Sequence, residues 1–152
     1  MEIERKFLLF SLPPRSLLGH GESIRQGYIQ TGDPEIRVRQ KGARFFLTIK
    51  SGEGISRQEF EVQISEETFA RFWPLTEGAQ ILKTRYMLKR GEVLWEIDEY
   101  EGSLTGLYVA EVELKEESQV VDIPEILNIR AEVSLDPRYR NKNLALRGVP
   151  RG

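Results

Sequence analysis

The chain contains no cysteine and only one histidine, and these shortages exclude several kinds of site. Without cysteine there is no disulfide, no thiolate zinc site and no cysteine nucleophile. The single histidine, His20, stands between two glycines in a predicted turn. We therefore do not expect a Ser/His/Asp triad, and the chemistry must come from carboxylates, amines, guanidinium groups and hydroxyls.

Long apolar runs and a strong net charge are also missing. No run approaches the roughly 18 residues of a membrane-spanning helix, and the sequence is acidic and polar from residue 2, unlike a signal peptide. The net charge of −2 predicts no overall attraction to nucleic acid or to anionic membranes. We expect a cytoplasmic protein with one domain over residues 1–152, and no nucleic-acid or membrane partner.

Short alternating segments separated by turn residues predict a mainly β protein with flanking helices, an α+β fold. The predicted strands lie near 1–10, 23–30, 35–41, 43–51, 57–64, 80–89, 93–100 and 107–115. The predicted helices are a short turn at 13–18, a helix from the Ser65 N-cap to Phe72, one or two helices in 116–127, and a final helix from Asp136 to Gly148. Eight antiparallel strands with short connections predict a closed barrel or a strongly curved sheet.

Charged and apolar residues alternate along the first strand. Glu2, Glu4 and Lys6 share one face, whereas Ile3 and Phe7 occupy the other. Later strands repeat this alternation, and their charges are sorted by sign into Glu-Phe-Glu, Glu-Ile-Asp and Glu-Val-Glu on some strands and Arg-Val-Arg and Lys-Thr-Arg on others.

Two interpretations of the charged face are open. An ordinary sheet turns its apolar face to the core and its charged face to water. However, like charges about 7 Å apart on one strand face repel each other, and folding alone gains nothing from repeating them. A ligand with several negative charges and an accompanying metal would use both signs, because Lys and Arg suit phosphoryl oxygens and paired carboxylates suit Mg²⁺ or Mn²⁺. The charged face would then line a tunnel.

The ordered motifs resemble those of the CYTH superfamily, the triphosphate tunnel metalloenzymes, and the compact bacterial inorganic triphosphatase type fits best. They are Glu2-x-Glu4-x-Lys6-Phe7, Arg25-Gln26-Gly27-Tyr28, Arg37-Val38-Arg39, Leu47-Thr48-Ile49-Lys50, Arg57-Gln58-Glu59-Phe60-Glu61, Lys83-Thr84-Arg85-Tyr86, Glu96-Ile97-Asp98, Glu111-Val112-Glu113 and Tyr139-x-Asn141-Lys142-x-Leu144-Ala145. The resemblance implies an eight-stranded antiparallel tunnel with a charged interior and a C-terminal helix, and one or two Mg²⁺ or Mn²⁺ ions.

The resemblance also assigns roles to residues at matching positions. The expected phosphate-binding residues are Arg37, Arg39, Lys50, Lys83 and Arg85, together with Lys6, which alternatively orients a water. The expected metal ligands are Glu2, Glu4, Asp98, Glu111 and Glu113, with Glu59 and Glu61 holding a second metal or, alternatively, supplying a general base.

Three further residues have two interpretations each. Tyr28 is either a proton-handling partner of Lys6 or a packing residue. Arg57 is either a phosphate clamp or a salt-bridge partner of Glu59, and Lys142 either reaches the tunnel mouth or is a solvated helix residue.

The expected activity is metal-dependent hydrolysis of a small anionic triphosphate. Tyr28 and Tyr100 are the main aromatic candidates on the charged face, too few to predict an organic-group pocket. Inorganic tripolyphosphate is therefore the favoured substrate. The alternatives are a nucleoside or thiamine triphosphatase, a class IV-type adenylate cyclase, or a non-catalytic module that binds polyphosphate or phosphorylated ligands. A monomer and a homodimer are both open, because an apolar outer face with few helices needs cover.

Overall fold

One antiparallel sheet of nine strands dominates the computed structural model, which describes residues 3–52 and 58–151. The strands are β1 (Ile3–Leu9), β2 (Glu22–Gln30), β3 (Glu35–Lys41), β4 (Arg44–Ser51), β5 (Gln58–Ile64), β6 (Gln80–Arg90), β7 (Val93–Tyr100), β8 (Tyr108–Leu114) and β9 (Ile129–Glu132). Their order in the sheet is β5-β4-β3-β2-β6-β7-β8-β1-β9. The eight predicted strands are confirmed; β9 was not predicted, because four residues are too few for a clear alternation.

The predicted closure of the barrel is not confirmed. Within the described residues, β5 and β9 stand at opposite ends of the strand order, and no ladder of hydrogen bonds joins them. The sheet nevertheless curls, because side chains from β1, β3, β5, β6 and β8 line one common cavity.

In the described residues, three short α-helices accompany the sheet: α1 (Arg15–Leu18), α2 (Glu66–Phe72) and α3 (Asn141–Arg147). α2 begins as predicted, with the Ser65 hydroxyl accepting a hydrogen bond from the Thr68 amide. The prediction of helices in 116–127 was wrong except for a 3₁₀ turn over Glu125–Leu127. None of the helices in the described parts of the chain is long and apolar enough to cross a membrane.

The predicted final helix is interrupted. Asp136 caps a 3₁₀ turn over Pro137–Tyr139, and α3 begins only after Arg140, whose ψ of 140° is extended rather than helical. The interruption lets Tyr139 enter the core while the residues that follow it turn towards the cavity.

The outer face of the sheet carries two apolar clusters, as the alternation predicts. One is built around Phe7, Trp95 and Ile97, and Leu18 of α1 and Leu127 pack against it. The other joins Val38, Phe45 and Phe69 under α2. Burying these side chains beneath the helices removes them from water and fixes which face of each strand points inwards.

Gly27 marks the closest approach of β2 to the turn that follows α2. A Cβ atom at this position would lie only 2.5 Å from side-chain atoms of Thr76. Any other residue would push this turn away from the strand that carries Gln26 and Tyr28.

The inner face of the sheet has a charged end and an apolar end, because inward-facing residues change from charged to apolar along several strands. Leu8, Ile81, Tyr100 and Val109 have the same alternation as the charged residues, yet they form a third apolar cluster with residues of the C-terminal segment. Leu144 of α3 is 1% exposed within it. One end of the curled sheet is thus filled by apolar side chains, and the charged cavity occupies the rest, a division that the sequence interpretation missed.

This packing predicts that Leu144 anchors α3. Leu144→Ala should lower the free energy of unfolding by about 2–5 kcal/mol, because it leaves a cavity in the inner apolar cluster. Leu146→Ala, on the same helix but with Leu146 45% exposed, is the matched control and should change stability by less than about 0.5 kcal/mol. Urea unfolding measures both, and equal effects would contradict the anchoring role.

Candidate active site

A cavity of about 510 Å³ lies against the inner face of the sheet, and among the described residues its lining is entirely polar or charged. The eight cationic lining residues are Lys6, Arg37, Arg39, Lys50, Lys83, Arg85, Arg140 and Lys142. The six acidic ones are Glu4, Glu35, Glu59, Glu61, Glu96 and Glu111, and Gln26, Tyr28 and Asn141 complete the lining. Both signs of charge therefore face one small volume.

Most of the residues predicted from the sequence meet in this cavity. The structure brings together Glu4, Lys6, Tyr28, Arg37, Arg39, Lys50, Glu59, Glu61, Lys83, Arg85, Glu111 and Lys142. Asp98 lies beneath the lining, and Glu113 is exposed, paired in register with Glu4. The predictions for Glu2 and Arg57 fall outside the described residues.

Asp98 binds two cations at the base of the cavity. Its carboxylate accepts from Lys83 Nζ at 2.9 Å and from Arg85 Nε and Nη2 at 2.8 and 3.0 Å. Arg85 also donates through Nη1 to Glu96 at 2.8 Å. The predicted metal-ligand role of Asp98 thus meets a different arrangement, in which both of its oxygens are bound by cations.

Burial and the neighbouring charges have opposite effects on the pKa of the Asp98 carboxyl group. Burial raises the pKa of Asp98, but the Lys83 charge and the Arg85 hydrogen bonds outweigh it and hold the pKa at about 2. Burial lowers the pKa of Lys83, and the Asp98 carboxylate works against that decrease. The carboxylate therefore remains ionised at neutral pH and compensates for the buried cations above it.

Two arginines on β3 have donors without partners. Arg37 Nε and Arg39 Nε are both buried, and neither has a hydrogen-bond partner among the described residues. Burial lowers the pKa of Arg39, and the charges of Arg85 and Arg37 lower it further. Buried donors are normally satisfied, so this pair, in a repulsive cationic environment, matches an anion that accepts from both.

Carboxylates approach each other on the opposite side of the cavity. Glu4 of β1 and Glu111 of β8 both line the cavity, and burial raises the pKa of Glu111 while its interactions with Glu4 and Lys6 bring it below its usual value. Glu61 accepts from the Thr48 hydroxyl at 2.8 Å. No group of three or more His, Cys, Asp or Glu side chains among residues 3–52 and 58–151 is arranged to hold a metal ion by itself.

Tyr28 and Lys6 both line the cavity, but their contacts differ from the predicted partnership. The Tyr28 hydroxyl accepts from Gln26 Nε2 at 2.7 Å, and the charge of Arg37 acts on it from nearby. Lys6 Nζ donates to the Tyr139 carbonyl at 3.0 Å and lies 3.5 Å from Glu111. Burial raises the pKa of Tyr28, so its hydroxyl keeps its proton at neutral pH.

The sequence interpretation did not assign Gln26, Glu35, Glu96, Arg140 and Asn141 to the site. Gln26, Glu35 and Glu96 have the same alternation as assigned neighbours on their own strands, and this signal was available. Arg140 and Asn141 reach the cavity because the C-terminal helix is interrupted at Arg140, which the Asp136-Pro137 signal did not reveal. Lys142 also lines the cavity, with Nζ 3.9 Å from Glu35.

Comparison with known proteins shows where the chain belongs. The CYTH domain family model matches residues 1–145, and the chain is a member of that family. It is 44% identical over 149 residues to an inorganic triphosphatase of Nitrosomonas europaea, covering 95% of this chain and 97% of the relative. It is 39% identical over 146 residues to an inorganic triphosphatase of Acetivibrio thermocellus, covering 94% and 92%. The crystal structure of the inorganic triphosphatase NE1496 superposes with a TM-score of 0.78 at 40% identity, covering 96% of this chain and 95% of that one.

The cation-binding role of Asp98 predicts a large loss of stability on its neutralisation. Asp98→Asn leaves Lys83 buried with a weakened partner and should cost about 3–5 kcal/mol in the free energy of unfolding at neutral pH. Glu67→Gln is the matched control, because it removes one carboxylate charge from an exposed pair with Arg71, and it should have no measurable effect.

Urea unfolding at several pH values tests the direction in which the stabilisation by Asp98 changes with pH. The pKa of Asp98 is about 2 in the folded chain, against about 3.9 for an aspartate in an unfolded chain. Its stabilisation is therefore complete above the unfolded value and is lost as the pH falls towards 2. The difference between the unmodified protein and Asp98→Asn should therefore shrink by about 1 kcal/mol at pH 3. A difference that stays constant between pH 7 and pH 3 would contradict the assignment.

Proposed function

We propose that this protein hydrolyses a phosphoanhydride bond of inorganic tripolyphosphate in the charged cavity, with Mg²⁺ or Mn²⁺ as cofactor. Water attacks a terminal phosphorus, the bridging P–O bond breaks, and pyrophosphate and orthophosphate leave. Two relatives, at 44% and 39% identity, are inorganic triphosphatases, and they support the same reaction class.

The observation that carries this proposal is the pair of unsatisfied donors on Arg37 and Arg39. They face a cavity that six further cationic side chains also line. A triphosphate supplies several non-bridging oxygens within a few ångströms, and guanidinium groups bind such oxygens in well-defined geometry. One ligand of this kind satisfies both donors and relieves the repulsion among the cations.

The lining favours an inorganic substrate over an organic one. Pockets for a nucleoside or a thiamine group contain apolar or aromatic surface. Among the described residues, Tyr28 is the only aromatic lining residue and no aliphatic side chain is present. Tyr100, the other aromatic candidate from the sequence, is 1% exposed and packs in the inner apolar cluster instead.

The acidic lining residues fit a divalent cation that is shared with the substrate. Glu4 and Glu111 place two carboxylates in the cavity lining, and Mg²⁺ typically binds one or two carboxylates together with substrate phosphates and waters. A bound cation would neutralise phosphate charge and lower the pKa of a coordinated water. Roles for Glu2 and Glu113 as further ligands, a second ion and closure of the tunnel between β5 and β9 remain predictions.

The other side chains act on the substrate by position and charge. Arg37, Arg39, Lys50 and Arg85 hold the phosphate oxygens, and Lys83 contributes its buried charge from below. Glu59 and Glu61 orient the attacking water and accept its proton. Phosphoryl transfer is accelerated mainly by such positioning and charge stabilisation.

A phosphate-release assay tests the substrate and the cofactor together. Tripolyphosphate, ATP and thiamine triphosphate are each supplied with Mg²⁺, with Mn²⁺ and with chelator. We expect release to be fastest from tripolyphosphate, and to require the cation. Release from none of the three under any condition would favour the non-catalytic binding module, and preference for an organic triphosphate would contradict the interpretation of the polar lining.

Substitutions test the phosphate clamp. Arg39→Ala and Lys50→Ala should each lower kcat/KM for tripolyphosphate by about 100-fold or more, because each removes charge stabilisation from the transition state. Arg90→Ala is the matched control, since Arg90 is exposed at the end of β6 and does not line the cavity. Thermal unfolding verifies the fold, and near-normal turnover of Arg39→Ala and Lys50→Ala would overturn the clamp.

A further inference from the structure

Asn141 is the first residue of α3 and lines the cavity, although it carries no charge. Its side-chain Oδ1 accepts a hydrogen bond from the Tyr100 hydroxyl at 2.7 Å. The amide is thus attached to the inner face of the sheet by a residue of β7, 41 positions earlier in the chain.

Tyr100 fixes the direction of this hydrogen bond. Its side chain is 1% exposed, and its ring centroid lies 5.2 Å from Lys83 Nζ. A buried hydroxyl proton needs an acceptor, and Oδ1 of Asn141 supplies it.

The Nδ2 group of the Asn141 side chain is available to donate to another partner. With Oδ1 bound to Tyr100, the Nδ2 group and its two N–H donors point away from the tyrosine. Nδ2 has no hydrogen-bond partner among the residues that the structure describes, whereas Asn143, two positions later, donates its Nδ2 to the Pro137 carbonyl at 2.6 Å. Asn141 stands between Arg140 and Lys142, which also line the cavity.

We propose that Asn141 Nδ2 donates to a non-bridging oxygen of the bound triphosphate, and that Tyr100 is the positioning residue that holds the amide in this orientation. The inference rests on the proposed function and adds a substrate contact from the C-terminal segment. A neutral donor is suited to this position because a third cation between Arg140 and Lys142 would add repulsion in the unliganded state.

Four variants test separately the proposed donor, Asn141, and its positioning residue, Tyr100. Asn141→Ala removes the donors, and Asn141→Asp keeps the shape and the acceptor but places an oxygen where Nδ2 stood. Tyr100→Phe removes only the hydroxyl, and Tyr100→Phe combined with Asn141→Ala completes a double-mutant cycle. Asn143→Ala is the control, because it removes an amide from the same helix outside the cavity lining.

The measured quantities are kcat and KM for tripolyphosphate with Mg²⁺, the dissociation constant by calorimetry, and the thermal midpoint. Asn141→Ala should weaken transition-state or substrate binding by about 10- to 100-fold, the usual range for a hydrogen bond to a charged group. Asn141→Asp should weaken it more, because its carboxylate repels the phosphate. Tyr100→Phe should weaken it about 3- to 10-fold, with no further loss when Asn141 is already alanine.

The possible outcomes distinguish failure of the Asn141 contact from failure of the proposed function. If unmodified protein binds and hydrolyses tripolyphosphate but Asn141→Ala equals it in kcat/KM and dissociation constant, the Asn141 contact is refuted while the proposed function stands. Equal losses in Asn143→Ala and Asn141→Ala would mean that α3 matters only structurally. Additive losses in the cycle would show that Tyr100 and Asn141 act independently and would refute the positioning role of Tyr100. If unmodified protein binds tripolyphosphate without hydrolysing it, the dissociation constants alone make the same comparison. If it does neither, both proposals fall.

Discussion

Cations can line the cavity because one buried carboxylate compensates for two of them. Asp98 holds Lys83 and Arg85 on neighbouring β6, and without it a lysine that is 3% exposed would lose its hydrogen-bonded carboxylate partner. Removing a charge from water costs several kcal/mol unless a partner restores the interaction. The geometry of the base of the cavity therefore depends on this ion cluster, and the substrate-facing cations are arranged above it.

The division of the inner face into a charged and an apolar end has a second consequence for the site. The apolar end accepts Tyr139 and Leu144, which bring the C-terminal segment inside the curled sheet. Packing of these residues determines where Arg140, Asn141 and Lys142 lie. Hydrophobic burial is not directional. Here it nevertheless positions three polar side chains, because the turn between the 3₁₀ segment and α3 connects them to the buried residues.

Much of this arrangement was predictable from alternation alone. The period of two along β1, β3, β6 and β8 placed Lys6, Arg39, Lys83 and Glu111 on one face, and the structure brings them together. Alternation does not predict which side chains on different strands contact each other. The interaction of Asp98 with Lys83 and Arg85, where a metal ion was expected, and the hydrogen bond of Tyr28 with Gln26 depend on register and curvature. The interruption at Arg140 depends on tertiary packing, which overrides the local signal for one continuous helix.

The missing ladder between β5 and β9 leaves β5 as an edge strand of the sheet. Within the described residues, β5 is paired only with β4 and is solvent-exposed along nearly its whole length. The same two strands carry the ion pair of Lys50 and Glu59, which are partners in register with Lys50 Nζ 3.9 Å from the carboxylate. Both side chains line the cavity, so fraying of this one strand would change the charge that a bound anion meets while the rest of the sheet stays paired.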